Sequence, residues 1–242
     1  MSLLELKNVS KIYGELKALD SVNIHVDQGE WVAIMGPSGS GKTTITRLIA
    51  RFWDVQEGRI LIGGHDVREF TSDSLLRNMS MVFQNVYLFR DSIENNIKFG
   101  CPDATHDQVV EAAKKARCHA FISALPNGYQ TMVGEGGSTL SGGEKQRISI
   151  ARVLLKDPAL LIFDEATSAL DYESERIIFN NMGAIGAQRT MLIIAHRLSA
   201  VRRCDKIIVV DKGHIVEQGS HEELMKLGGL YKYLHDQQEG RG

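Results

Sequence analysis

The sequence runs to 242 residues, with 28 Lys and Arg against 30 Asp and Glu, a formal net charge of −2, 43% hydrophobic residues and 24% charged. These proportions suit a globular protein of one large or two small domains, and exclude collagen, a disordered chain and a disulfide scaffold. A charge so near zero supplies no electrostatic drive toward nucleic acid, and none is expected as a partner. The longest apolar runs, such as 159–163 and 191–195, are far shorter than the about 20 residues a membrane-spanning helix needs. The opening Met1-Ser2-Leu3-Leu4-Glu5 does not read as a signal peptide. Cys101, Cys118 and Cys204 lie far apart, fit no metal or redox spacing, and suit a reducing compartment.

In chain order, Leu3, Leu4, Leu6 and Val9 are apolar with polar residues interleaved. Val22, Ile24 and Val26 then alternate with Asn23 and His25. Both patterns predict half-buried strands. The unbroken apolar run from Trp31 to Met35, followed by a glycine, reads as a strand buried on both faces. Ile45, Leu48, Ile49 and Phe52 then carry helical spacing over 43–52. Strands are expected at 59–62 and 79–83. From about 91 to 156 the character turns helical. Strong helix formers fill 107–116, with Thr105 placed to cap them, and another helix is expected from Ser141 to Lys156, stopped by Asp157-Pro158. Strands at 160–163, 191–195, 207–210 and 215–217 alternate with helices from about Tyr172 and from Ser220. Such alternation predicts an α/β fold with a mainly parallel sheet.

Gly36-Pro37-Ser38-Gly39-Ser40-Gly41-Lys42-Thr43 fits G-x-x-x-x-G-K-[ST], directly after a buried strand and opening a helix. The glycines let consecutive N–H groups turn inward around a phosphate, and the helix N-terminus adds partial positive charge. Lys42 would reach the outer phosphates, and Thr43, with Thr44 nearby, would ligate Mg²⁺. The apolar run 160–163 ends in Asp164-Glu165. In phosphate-loop proteins an aspartate so placed holds Mg²⁺, directly or through water, which leaves Glu165 to polarise the attacking water. Leu140-Ser141-Gly142-Gly143-Glu144-Lys145-Gln146-Arg147 is a second helix start suited to an anion. Ser141 is the cap, and Gly142 and Gly143 allow close backbone approach.

With these three motifs in this order, the sequence resembles the ATP-binding cassette (ABC) ATPases, the motor domains of ABC transporters, over essentially its whole length. The resemblance implies a phosphate-loop NTPase core with a mainly parallel sheet, an N-terminal antiparallel β subdomain and an inserted α-helical subdomain. In one domain over 1–242, the core with its β part would take about 1–90 and 157–242. The helical part, about 91–156, would carry the signature motif. It implies ATP with Mg²⁺ as ligands and ATP hydrolysis as the activity. It also implies a head-to-tail dimer in which each nucleotide lies between the phosphate loop of one copy and Ser141, Gly142 and Gly143 of the other. Tyr13 matches the aromatic that stacks on adenine. Gln84 matches the glutamine that senses Mg²⁺ and the attacking water. Ser168-Ala169-Leu170-Asp171 matches the loop that crosses the dimer interface, and His196 the histidine that contacts the γ-phosphate.

The stretch 128–137, with Glu135, and the stretch 84–97 are exporter-like. Val86, Tyr87, Leu88 and Phe89 suit either a groove for a partner helix or packing within their own subdomain. These stretches imply a transporter's membrane domain as partner and a place on the inner face of the cell membrane. The C-terminal third resembles haemolysin-type exporters, whereas 3–14 and 33–42 resemble the separate ATPase subunits of lipoprotein-release and macrolide systems. That mixture leaves three origins open: a separate subunit, an excised domain, or a chain recombined from several family members. A cassette acting on DNA or the ribosome is the alternative from another partner class. Such proteins usually carry a coiled-coil insertion or tandem cassettes, and neither is present here.

Overall fold

In a computed structural model that describes residues 2–164, 170–185, 189–195 and 198–240, the chain opens on a long hairpin. Its strands are β1 (Ser2–Tyr13) and β2 (Leu16–Asp27), followed by β3 (Trp31–Met35) and α1 (Lys42–Ile49). Next come β4 (Glu57–Ile62), β5 (His65–Asp66), α2 (Ser72–Asn78) and β6 (Met79–Val82). A helical stretch contains α3 (Ile93–Lys98), α4 (His106–Lys115), α5 (His119–Ala124) and α6 (Gly142–Lys156). The remainder is β7 (Leu160–Asp164), α7 (Tyr172–Ile185), β8 (Thr190–Ile194), α8 (Leu198–Val201), β9 (Lys206–Asp211), β10 (His214–Gly219), α9 (His221–Leu227) and α10 (Leu230–Gln238).

The elements fall into two compact units. One comprises the described residues of Met1–Met79, Ala159–Asp164 and Gln188–Gly242, the other those of Ser80–Pro158 and Glu165–Ala187.

The first unit holds an antiparallel sheet in the order β2-β1-β4-β5, and strands of a second sheet in the order β10-β9-β3-β8-β7. The pairs β3–β8, β3–β9 and β7–β8 are parallel, and β9–β10 is antiparallel. The apolar runs are buried as expected, with Val32, Ala33 and Ile34 wholly covered. In β1 the alternation breaks between Leu6 and Val9, where the register shifts and Asn8 takes a φ of 50°. A bulge of this kind returns Val9 to the buried face.

Two helix boundaries differ from expectation. The helix expected over 43–52 ends at Ile49, because Arg51 turns left-handed (φ 54°) and its guanidinium donates to the carbonyls of Val67 and Phe70. Phe52 is left exposed. The single C-terminal helix expected from Ser220 is two. Gly228 caps α9 left-handed (φ 71°), and the Glu217 carboxylate then accepts the N–H groups of Leu230 and Tyr231 that open α10.

In the second unit α3, α4 and α6 pack together. Local sequence sets their ends: Thr105 with Gln108, and Ser141 with Glu144, form reciprocal capping boxes, and Asp157 closes α6 left-handed at φ 55°. The Glu94 carboxylate ties this unit together, accepting from Lys98, His106 and Gln130. Burial pushes its carboxyl up, but its partners outweigh that and hold it below its ordinary value.

Candidate functional site

In the first unit, β3 leads straight into the loop 36–41, at the carboxyl end of the parallel strands where such sheets bind ligands. The loop is tightly wedged. A Cβ at Gly36 would lie 2.0 Å from the Val210 carbonyl oxygen, and one at Gly41 would lie 2.6 Å from that of Ala18. Glycine is therefore required at both positions for close approach.

The Lys42 side chain folds back into the loop and donates to the carbonyls of Gly36 (2.9 Å) and Pro37 (2.7 Å), with the residue only 5% exposed. The start of α1 has no side-chain cap. Its first N–H groups have no partner within the helix and face the loop with the positive end of the dipole. Ser40 Oγ is buried without a hydrogen-bond partner among the described residues. A buried ammonium, an open helix start and an unsatisfied hydroxyl together fit an anionic ligand.

Asp164 ends β7 and pairs with Ile194 of β8, which in turn pairs with Ile34 of β3. That register sets its carboxylate level with the loop. Thr43 Oγ1 donates to Asp164 Oδ1 at 3.4 Å, and Asp164 is 6% exposed. A hydroxyl and a carboxylate are the hard oxygen donors that Mg²⁺ takes. Among the described residues no three His, Cys, Asp or Glu gather as a metal cage.

Tyr13 ends β1, where it pairs with Leu16 across the hairpin turn and stays 40% exposed. It is not a core aromatic. Lys11 Nζ sits 5.3 Å from its ring centroid.

The second unit carries the other expected site residues. Ser141 Oγ accepts from the Glu144 N–H (3.3 Å) and donates to the Glu144 carboxylate (2.8 Å). Ser141 and Gly142 are exposed and Gly143 half-buried at the head of the 15-residue α6. Asp171 accepts from the Ser174 N–H at 2.8 Å, and that bond holds its carboxyl below the usual range. Gln84 and Glu135 are exposed. In the apolar stretch after Gln84, Leu88 packs inward, whereas Tyr87 and Phe89 remain on the surface. Phe89 stacks on Phe99 at 4.3 Å, and Arg152 lies over both rings. Glu165, Ser168, Ala169 and His196 lie outside the described residues.

One supporting residue escaped the sequence reading. Gly213, in the β9–β10 turn, donates its N–H to the Ser40 carbonyl and accepts from the Asp20 N–H, both at 2.9 Å. The turn thus braces the phosphate loop against β2. Its signal, Lys212-Gly213 between two strands, is that of a hairpin turn, and nothing in it points to Ser40 of the loop, 173 residues away in sequence.

Comparison with known proteins agrees with the motifs. A sequence model described as ABC transporter matches residues 19–168. An ATP-dependent lipid A-core flippase of Desulfotalea psychrophila is 52% identical over 235 residues, covering 97% of this chain and 41% of that protein. A putative multidrug export ATP-binding/permease protein of Bacillus subtilis is 50% identical over 232 residues, 95% of this chain and 40% of the relative. The chain therefore spans about two fifths of these relatives. The structure of a bacterial Atm1-family ABC exporter with ATP bound superposes with a TM-score of 0.95 at 46% identity, over 98% of this chain and 42% of that one. Among the described residues no helix is long and apolar enough to cross a membrane. A recombined origin finds no support, since one relative alone matches 97% of this chain. Motifs, sheet order and comparison agree that the chain belongs to the ABC transporter family.

Proposed function

We propose that this chain is the ATP-hydrolysing part of an exporter, driven by Mg²⁺-ATP. The observation that carries the reading is the Lys42 ammonium held inside a glycine loop, directly ahead of an uncapped helix start. On binding, Lys42 exchanges the carbonyls of Gly36 and Pro37 for phosphate oxygens. The N–H groups from Gly39 to Thr44 donate to the same phosphates, with Pro37 and Ser38 shaping the turn. Tyr13 offers its exposed ring to adenine. Thr43 and Asp164, with Gln84, hold Mg²⁺, which when bound supplies positive charge against the charge building on the transferring phosphoryl group.

Glu165 accepts a proton from the attacking water, a contribution of about 10²- to 10⁴-fold, and His196 donates to the γ-phosphate. The exposed Ser141-Gly142-Gly143 start receives the γ-phosphate of a second copy, and Asp171 lies in the loop that crosses between copies. ATP thereby joins two chains and its hydrolysis releases them, the differential affinity a motor requires. The partner is a membrane-spanning domain, which Tyr87 and Phe89 are exposed to meet, and the chain works at the inner face of the membrane. We take its own cargo to be amphiphilic, a reading supported by the names of the lipid A-core flippase and multidrug export relatives.

The test is size-exclusion chromatography with light scattering on Glu165→Gln, with and without Mg²⁺-ATP. We expect a dimer only with nucleotide, together with lost turnover. A monomer at saturating ATP, or turnover like the unaltered chain, rejects the assignment.

A further inference from the structure

The second unit contains a cavity of about 430 Å³ that takes no part in the roles above. Its described lining is Lys114, Arg117, His119, Ala120, Phe121, Arg147 and Ser174, with no carboxylate among them. Three of these side chains are cationic at any physiological pH. They come from two separate stretches, the end of α4 with the turn that follows it and the second turn of α6, and Ser174 of α7 adds a hydroxyl.

Lys114 and Arg117 at the end of α4 have a sufficient local reason to be basic, since cations there complement the helix dipole. Lys114 is also paired with Glu111 at 2.7 Å. Arg147 has no such reason. Its guanidinium lies 5.3 Å from the Phe121 ring centroid, and its Nε is buried with no hydrogen-bond partner among the described residues. A buried N–H without an acceptor is an unmet demand. The charge of Arg147 also acts on Asp171, whose carboxylate is already engaged by the Ser174 N–H. Arg117 is exposed and makes no ion pair among the described residues.

We propose that this pocket binds a phosphate-bearing anion of at least two negative charges, at a site separate from the phosphate loop. Arginine forks and a lysine suit phosphate oxygens, with Arg147 supplying the directional donor and Arg117 and Lys114 the field. An anion there contacts α6 three residues past Glu144 and the first turn of α7 behind Asp171, so it bears on the two segments that present Ser141 and Asp171.

The experiment is calorimetric titration of pyrophosphate into the full chain saturated with ADP, for the unaltered protein and for Lys114→Ala/Arg117→Ala. Both residues are exposed, and far-ultraviolet circular dichroism checks the fold. We expect pyrophosphate to bind the ADP-saturated chain and to bind the double variant at least tenfold more weakly, with ADP affinity unchanged. The difference between the two proteins decides the matter whether or not ADP fills the phosphate loop. A parallel arm uses vesicles of phosphatidic acid in phosphatidylcholine. Co-sedimentation lost in the variant assigns the phosphate to a lipid headgroup, and pyrophosphate binding alone assigns it to a soluble anion. Equal pyrophosphate affinity in the two proteins, with no vesicle binding that the substitutions remove, overturns the proposal.

Discussion

Lys42 illustrates how one side chain prepares a site. Its ammonium is taken out of water and held by two carbonyls of its own loop, so in the proposed role it is positioned before any phosphate arrives, and binding would exchange two neutral acceptors for charged ones. Lys42→Ala should weaken ATP binding at least tenfold, about 1.4 kcal/mol, as read by displacement of a fluorescent nucleotide. Unchanged affinity would remove Lys42 from the site. The cysteines give a second test at this scale. Burial pushes the thiols of Cys118 and Cys204 up to about 12, so almost no thiolate forms at pH 8. Cys101 is only half-buried. Iodoacetamide at pH 8 should label Cys101 alone in the native protein and all three cysteines after denaturation, as counted by mass spectrometry.

Among the elements, α6 performs two tasks with one residue. Ser141 caps the helix through Glu144 and also stands exposed at its head. Ser141→Ala should lower stability by about 1 kcal/mol, the usual value of a lost cap, measured by urea unfolding. If its role is structural only, dimer formation with Mg²⁺-ATP will survive that change. The Glu94 hub sets how the second unit responds to acid. Its folded carboxyl lies below the ordinary value of 4.5, so its stabilisation is complete above that pH and is lost as the pH falls through the lower folded value. Glu94→Gln should flatten the acid limb of the stability–pH curve below about 4.5. An acid limb parallel to that of the unaltered protein would show that other groups carry the effect.

Across the whole molecule, the two units divide the expected site residues between them. The phosphate loop, Tyr13 and Asp164 lie in one, and Gln84, Ser141, Gly142, Gly143 and Asp171 in the other. The nucleotide-joined dimer proposed above makes use of that division, because each copy carries both kinds of surface. Its test therefore belongs to the oligomeric state with nucleotide rather than to any single contact.

The phosphate loop, the Asp164 strand end and the capped start of α6 were legible from sequence because each is a contiguous stretch whose backbone chemistry demands fixed residue types at fixed spacing. The buried strands were equally legible, since an unbroken apolar run has nowhere else to go. The bulge at Asn8, the early end of α1, the split between α9 and α10, the Gly213 brace and the basic pocket depended on tertiary structure. Each arises where distant segments meet: Arg51 against the carbonyls of Val67 and Phe70, Glu217 against the start of α10, Ser40 against Gly213, Arg147 against Phe121. Local pattern records which residues can be buried or turned, but which distant partner they meet is settled only when the packed chain must satisfy every buried polar group at once.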